Sequence, residues 1–151
     1  MSGTAVAPAA IDEGRARLLG RMRGASLGAM VMLIIQYALG MGVNIYVTPG
    51  KGGFSEAFKS GPALALHAIL GLLLIVAAIG LLVRAITARH GAVIAASAVG
   101  LVAIAGAAMS GVSFLKDGAD GSSMAMAMAT AVALLCYTIC LYALGSPARR
   151  G

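Results

Sequence analysis

The side chain with the widest chemical repertoire in this 151-residue sequence is His67, one of only two histidines. A neutral imidazole can bind a metal through one ring nitrogen while a neighbouring group holds the N–H of the other. Gly71 follows four residues later, so in a helix it lies on the same face and leaves room for a flat macrocycle. His67 is therefore a candidate ligand of haem iron or copper, although the same spacing also serves plain helix packing.

Methionine is the candidate second ligand, since thioethers bind Cu(I) and haem iron. Nine methionines occur, and three of them alternate in the run M-A-M-A-M that begins at Met124. At 3.6 residues per turn, Met124 and Met128 share a helix face and Met126 does not. His67 with Met124 or Met128 is thus the metal set that the spacing allows. Flexible core filler is the simpler role of these methionines, and the presence of a cofactor stays open.

Neutral polar side chains accompany His67 in segments that are otherwise apolar. They are Gln36, Asn44, Ser110 and Ser113. Polar groups buried in apolar surroundings need hydrogen-bond partners. These residues therefore predict either a cluster that locks helices together or the polar part of a ligand site. If a ligand is held, we expect His67, Asn44 and Ser110 to line its site.

The composition excludes several classes of protein. Hydrophobic residues make up 60% of the chain and charged residues 11%, whereas soluble domains are about 45–50% apolar and 25% charged. The sequence lacks Trp, and aromatic residues are 5% of it, which leaves little for a stacking surface and argues against nucleic-acid binding. The long apolar stretches contain no Asp or Glu, which argues against proton-coupled export of cations.

Four apolar stretches, each long enough to cross a bilayer as a helix, organise the chain. They cover residues 25–47, 63–83, 92–115 and 123–144. Their continuous hydrophobicity favours helices over barrel strands, which alternate in polarity. The sequence predicts an all-α integral membrane protein, a four-helix bundle of two hairpins over residues 25–144. We expect residues 1–24 to be a disordered, basic segment and residues 145–151 a basic tail.

The basic residues predict the orientation of the bundle. Eight arginines lie before the first stretch, between the second and third, and after the fourth, whereas the other two links hold only three lysines. The positive-inside rule then places both termini in the cytoplasm. We expect a multi-pass protein of the plasma membrane, the inner membrane in a bacterium. The arginines are Arg15, Arg17, Arg21, Arg23, Arg84, Arg89, Arg149 and Arg150, and the lysines are Lys51, Lys59 and Lys116.

Small residues recur at four-residue spacing in the third and fourth stretches. In the third stretch the pattern includes Gly100 and Gly111, and such stripes let membrane helices pack closely. Cys136 and Cys140 are also four apart, which is not the C-x-x-C spacing of a redox pair. We interpret these cysteines as small packing residues.

Four short segments resemble a group of small four-helix membrane proteins of high-GC bacteria. They are GMGVNIYV at 40–47, His67 with Gly71, GVSFL at 111–115 and SSM at 122–124. The resemblance spans about residues 25 to 144. It implies a four-helix membrane fold and brings no activity with it.

Together these features predict a non-catalytic membrane protein that self-associates or serves as an accessory subunit of a membrane complex. The expected partners are the lipid bilayer and either further copies of the chain or other membrane subunits. One alternative is a haem- or copper-binding redox protein whose site lies near the outer leaflet. A second is a bundle that binds an apolar ligand, such as a quinone or a lipid, between its helices.

Overall fold

The computed structural model describes residues 8–46, 61–118 and 120–145. This part of the chain forms four helices and contains no strand. The helices are α1 (Pro8–Tyr46), α2 (Pro62–Thr87), α3 (Gly91–Asp117) and α4 (Asp120–Gly145). All four are long and apolar enough to cross a membrane. The prediction of an all-α four-helix bundle is confirmed, and each helix contains its predicted span except for Val47, which lies outside the described residues.

The four helices form a square bundle. Each helix packs against two neighbours: α1 and α3 each contact both α2 and α4. The backbones of the two diagonal pairs do not approach each other within the described residues. The contact between α3 and α4 is the most extensive. We call the end that holds Arg23, Arg84 and Arg89 the arginine end, and the opposite end, at Tyr46 and Gly118, the distal end.

The core is densest towards the arginine end. The largest side chain buried there is Tyr137 of α4, which is fully inaccessible to solvent. A Cβ atom on Gly100 of α3 would lie 3.2 Å from the Tyr137 ring and 3.3 Å from Cys136 Cβ. The predicted small-residue stripe of α3 therefore faces α4 at Gly100, where a side chain would crowd the tyrosine ring. Most large apolar side chains outside this core point away from the bundle.

The N-terminal part of α1 differs from the prediction. Residues 1–24 are expected to be disordered, yet α1 is helical from Pro8 onwards; residues 1–7 lie outside the described residues. Met22 is fully buried in the core, and Arg17 donates a hydrogen bond of 3.2 Å to the Glu13 carboxylate one turn away. Contacts with the other helices thus stabilise a segment whose composition alone resembles a linker.

The link between α2 and α3 is a three-residue turn. The His90 N–H donates to the Ala85 carbonyl oxygen at 3.2 Å, and the Arg89 N–H donates to that of Ile86 at 3.0 Å. This pair of bonds is a Schellman motif, which requires a left-handed residue directly after the helix. Arg89 takes that position with φ of 52°, although glycine is the residue that adopts it without strain.

Some predicted features lie outside the described residues. These are Lys51 and Lys59 in the link between α1 and α2, and residues 146–151 of the predicted tail, with Arg149 and Arg150. Gly145, the first residue assigned to that tail, is the last residue of α4.

Candidate functional site

A cavity of about 300 Å³ lies in the distal half of the bundle. It is lined by residues of all four helices, as expected where the backbones of the diagonal pairs of a square bundle do not approach each other. Its floor is formed by Leu33, Leu74 and Ile104, which belong to the main core. A second, smaller buried cluster of Val43, Leu64 and Leu115 contributes to its distal wall. The cavity is therefore bounded by packed apolar residues on both sides.

Gln36 brings a polar group to the wall at a depth of ten residues from the distal end of α1. Its side-chain Nε2 donates a hydrogen bond of 2.7 Å to the backbone carbonyl oxygen of His67 on α2. The amide occupies the space where a Gly71 side chain would lie, since a Cβ there would be 2.9 Å from Nε2. Gly71 thus admits the Gln36 amide, where the sequence suggested room for a macrocycle. The other amide atom, Gln36 Oε1, is buried without a hydrogen-bond partner.

His67 lines the cavity one helix turn closer to the distal end than Gly71 does. Its ring packs on Gly40 of α1, where a Cβ would lie 3.1 Å from the ring carbon Cε1. The ring nitrogen Nδ1 is buried and has no hydrogen-bond partner. The wall therefore contains two unpaired polar atoms, one amide oxygen and one imidazole nitrogen, on adjacent helices.

The distal mouth of the cavity carries a further polar pair. The Ser123 hydroxyl of α4 donates a hydrogen bond of 3.3 Å to Asn44 Oδ1 of α1. Asn44 is therefore paired with α4 across the mouth. Deeper in the wall, the Thr130 hydroxyl donates to the Met126 carbonyl oxygen at 2.9 Å.

The remaining predicted site residues lie away from this cavity. Met124 and Met128 share a face of α4, as expected, but that face points outward, with 69% and 59% of the side chains exposed. Ser110 is half-buried and Ser113 exposed, and neither lines the cavity. Of the predicted set, the structure brings Gln36, Asn44 and His67 to one cavity.

Sequence reasoning assigned Met124 and Met128 of α4 to the site and did not identify the face of α4 that lines this cavity. The lining residues of α4 are Ser123, Met126, Ala127 and Thr130. Their spacing of three, four and seven residues is that of a single helix face. This spacing can be read from the sequence. It does not indicate which face is inside, because α4 carries alanine and methionine on all of its faces.

The metal hypothesis can be tested against these residues. Among the described residues no three His, Cys, Asp or Glu side chains gather where they could hold a metal ion. In the cavity wall, the side chains that bind copper or haem iron are the imidazole of His67 and the thioethers of Met41 and Met126. The Met126 sulfur lies 3.5 Å from the Cβ position of Gly111, in ordinary packing contact. The His67 pairs with Met124 or Met128 do not form, because both of those methionines face outward.

Comparison with protein-family models, curated proteins and solved structures finds no match for this chain. The resemblance to four-helix membrane proteins of high-GC bacteria therefore stays a prediction.

Proposed function

We propose that this chain is a multi-pass membrane protein whose distal cavity binds a small, neutral, largely apolar molecule with a hydrogen-bonding head, of the quinone or quinol class. The observation that carries the proposal is the pair of unpaired polar atoms, Gln36 Oε1 and His67 Nδ1, in the wall of an apolar cavity. A buried polar atom without a partner costs about 1–3 kcal/mol. A quinol hydroxyl can donate to Gln36 Oε1 and pair with His67 Nδ1, which would remove that cost. A quinone carbonyl can only accept, and so would pair with His67 Nδ1–H alone.

The size and polarity of the cavity support this ligand class. Packed protein interiors contain few voids larger than a water molecule, whereas ligand sites span about 300–1,000 Å³; the cavity, at about 300 Å³, falls in the second range. Within the described residues no Asp, Glu, Lys or Arg lines it. A charged ligand would therefore lie in the wall without a counter-charge, which favours a neutral one.

The surroundings of the cavity favour a ligand that arrives from lipid. Its lining includes exposed side chains on three helices, namely Tyr37 on α1, Leu72 on α2 and Val112 on α3. A tail attached to the bound head can therefore leave between the helices. In a bilayer these openings would face hydrocarbon, which is where isoprenoid quinones and lipids dissolve.

The described serine and threonine hydroxyls of the wall do not pair with its histidine as a nucleophile pairs with its base. The Ser123 hydroxyl donates to Asn44 and the Thr130 hydroxyl to a backbone carbonyl, so neither donates to His67. No carboxylate of the described residues lies in the wall to orient the imidazole. The expected roles as a self-associating protein or accessory subunit are compatible with such a site and stay predictions. The cytoplasmic location of both termini and the location in a bacterial inner membrane also stay predictions.

A cavity-filling variant tests the proposal. We would measure thermal unfolding in mild detergent with a decyl-substituted benzoquinone and with its quinol. Saturating ligand at a hundred times its dissociation constant adds about 2.7 kcal/mol to the stability of the wild type. Ala107→Leu, which extends an α3 side chain into the cavity, should abolish this gain. The matched control is Ala105→Leu on the exposed face of the same helix, which should retain it.

Two results would contradict the proposal. The first is the absence of stabilisation of the wild type by either probe. The second is equal stabilisation of the Ala107→Leu and Ala105→Leu proteins, which would place the probe outside the cavity. A phospholipid that co-purifies with the wild type and is lost only from Ala107→Leu would keep the cavity as a ligand site and replace the quinone by a lipid.

A further inference from the structure

A second concave site lies at the arginine end, between α1 and α4. This cleft is lined by Gly20, Arg23, Gly24 and Leu27 of α1 and by Leu141 of α4. None of these residues lines the distal cavity. The cleft is thus independent of the site proposed above.

Arg23 supplies the charge of the cleft. Its guanidinium carbon lies 3.7 Å from the Cβ position of Gly145, the last residue of α4. The guanidinium therefore lies at the negative end of the α4 dipole, where a cation is favourable. Among the described residues the only ion pair is that of Glu13 with Arg17. Arg23 consequently has no carboxylate partner there, and a guanidinium has five N–H donors to offer.

The rest of the cleft is shaped for a chain that runs along the helices. A Cβ on Gly20 or Gly24 would meet no atom within 4 Å, so both positions are open. Leu27 lies one turn further towards the centre of the bundle and is 54% exposed. Leu141 faces the same cleft from α4. Going inwards along α1 from Arg23, the surface passes the open Gly24 position and reaches the exposed Leu27 side chain. The open Gly20 position lies about one turn outside Arg23.

We propose that this cleft binds an anionic phospholipid, with its headgroup phosphate on Arg23 and one acyl chain along Leu27 and Leu141. Arginine suits a phosphate because its planar fork donates two parallel hydrogen bonds. Arg23 lies level with the last residue of α4, where headgroups would begin if the bundle spans a bilayer. The open glycine positions let the lipid backbone lie against α1. The proposal assumes that the bundle is embedded in a membrane and does not depend on any ligand in the distal cavity.

Native mass spectrometry of the full chain in detergent would test this site. We would titrate phosphatidylglycerol, phosphatidylcholine and inorganic phosphate separately. The wild type should bind one phosphatidylglycerol more tightly than phosphatidylcholine and should not retain inorganic phosphate. Arg23→Gln should weaken phosphatidylglycerol binding about fivefold, the usual contribution of one basic residue near anionic lipid. Arg21→Gln, an exposed arginine outside the cleft, is the matched control and should bind as the wild type does.

A second pair of variants keeps the charge and changes the shape. Gly24→Leu would fill the cleft and should lower phosphatidylglycerol binding by a similar factor. Gly28→Leu has the same open surroundings but lies outside the cleft, and it should bind normally. Equal losses in Arg21→Gln and Arg23→Gln would overturn the proposal in favour of general charge attraction. Equal binding by Gly24→Leu and Gly28→Leu, or competition by inorganic phosphate, would also overturn it.

Discussion

At the scale of single residues, two glycines determine how the polar groups of the cavity are held. Gly71 leaves the space that the Gln36 amide fills, and Gly40 leaves the space on which the His67 ring packs. Each glycine thus receives a polar side chain from the neighbouring helix. The hydrogen bond from Gln36 to the His67 carbonyl depends directly on the first of these spaces.

The dependence of this hydrogen bond on Gly71 can be tested by comparing the stability of Gly71→Ala with that of Gly80→Ala on the same helix. A Cβ at residue 80 meets nothing within 4 Å, so this change should raise stability by about 0.5–1 kcal/mol through helix propensity. A Cβ at residue 71 would displace the Gln36 amide and break its hydrogen bond. We expect Gly71→Ala to be about 1–2 kcal/mol less stable than Gly80→Ala. Thermal unfolding in detergent measures both, and equal stabilities would contradict the contact.

His67→Ala separates a packing role from cofactor binding. The imidazole fills the space beside Gly40, so we expect its removal to lower stability by about 1–3 kcal/mol. The visible spectrum and metal content should be the same as in the wild type. Stability, visible spectrum and metal content should be measured on the same preparation of each protein, the wild type and His67→Ala. A coloured or metal-loaded wild type that loses its cofactor in His67→Ala would restore the haem and copper hypotheses.

The sequence predicts some of this site and not the rest. Helical spacing alone places Met124 and Met128 on one face and Met126 on another, and the structure agrees. It cannot state which face is inside, because α4 is apolar all round. The pairing of Gln36 with His67 is beyond sequence reasoning for a related reason. It depends on the rotation of α1 against α2, which is set by packing between helices.

At the scale of helices, the close approach of α3 and α4 depends on Gly100. Its Cβ position is 3.2–3.3 Å from atoms of Tyr137 and Cys136, and both of these side chains are buried. The predicted stripe is thus part of the tightest helix contact. Gly111, further along the same stripe, is less confined, since its nearest neighbour is the flexible Met126 side chain at 3.5 Å.

Substitution of these positions should give a graded series. We expect Gly100→Leu to lower stability by about 3 kcal/mol or more, since overpacking displaces buried side chains. Gly111→Leu should cost less, because Met126 can move aside. Leu73→Ala should change stability by less than about 1 kcal/mol, since Leu73 is 53% exposed and lipid or detergent can replace its contacts. Unfolding temperatures that fall equally in all three would contradict this model of the interface.

The turn between α2 and α3 offers a stabilising change. Arg89 has a left-handed backbone with φ of 52°, which costs an ordinary residue about 1–2 kcal/mol. Arg89→Gly should therefore raise the stability by about 1 kcal/mol. The converse control is Gly118→Ala, at the other left-handed position, with φ of 63°, and it should be destabilising by a similar amount. A loss of stability in Arg89→Gly would indicate that the arginine side chain itself contributes.

The helical structure of the N-terminal part of α1 could not be predicted from its composition. Residues 8–24 are rich in small and charged residues, so their composition favours disorder. In the structure Met22 and Ser26 are fully buried and Leu18 and Leu19 pack against the core. Three side chains of this segment, Leu18, Leu19 and Met22, thus pack on the bundle, and Ser26 follows directly after it. Propensity arguments cannot include that contribution, because it comes from residues far away in sequence.

At the scale of the whole molecule, two of the four tyrosines lie near opposite ends of the bundle and are exposed. Tyr46 ends α1 at the distal end and is 86% exposed, and Tyr142, close to the arginine end, is 78% exposed. Tyr142 lies 22 residues along α4, about 33 Å at 1.5 Å per residue. This separation is close to the 30 Å of a bilayer core, at whose interfaces tyrosines are enriched.

A pair of cysteine variants tests the predicted orientation. Lys116 at the distal end and Thr87 at the arginine end are both exposed, while the native Cys136 and Cys140 are buried and should label slowly. In intact cells, an impermeant maleimide should label Lys116→Cys and leave Thr87→Cys unlabelled until the membrane is opened. The reverse pattern would place the arginine end outside and contradict the prediction from the basic residues.

Because α1 extends beyond the other helices, its arginines lie at different distances from the end of the bundle. With 39 residues against 26 or 27 in the other helices, α1 is about 18 Å longer at 1.5 Å per residue. Along a helix perpendicular to the membrane, Arg15 then lies about 12 Å beyond Arg23. The Debye length in physiological salt is about 8 Å. If the bundle spans a bilayer whose headgroups lie at Arg23, as proposed above, Arg23 would respond to the surface potential of the membrane. The charge of Arg15 would be largely screened from that potential and available to solutes in the water.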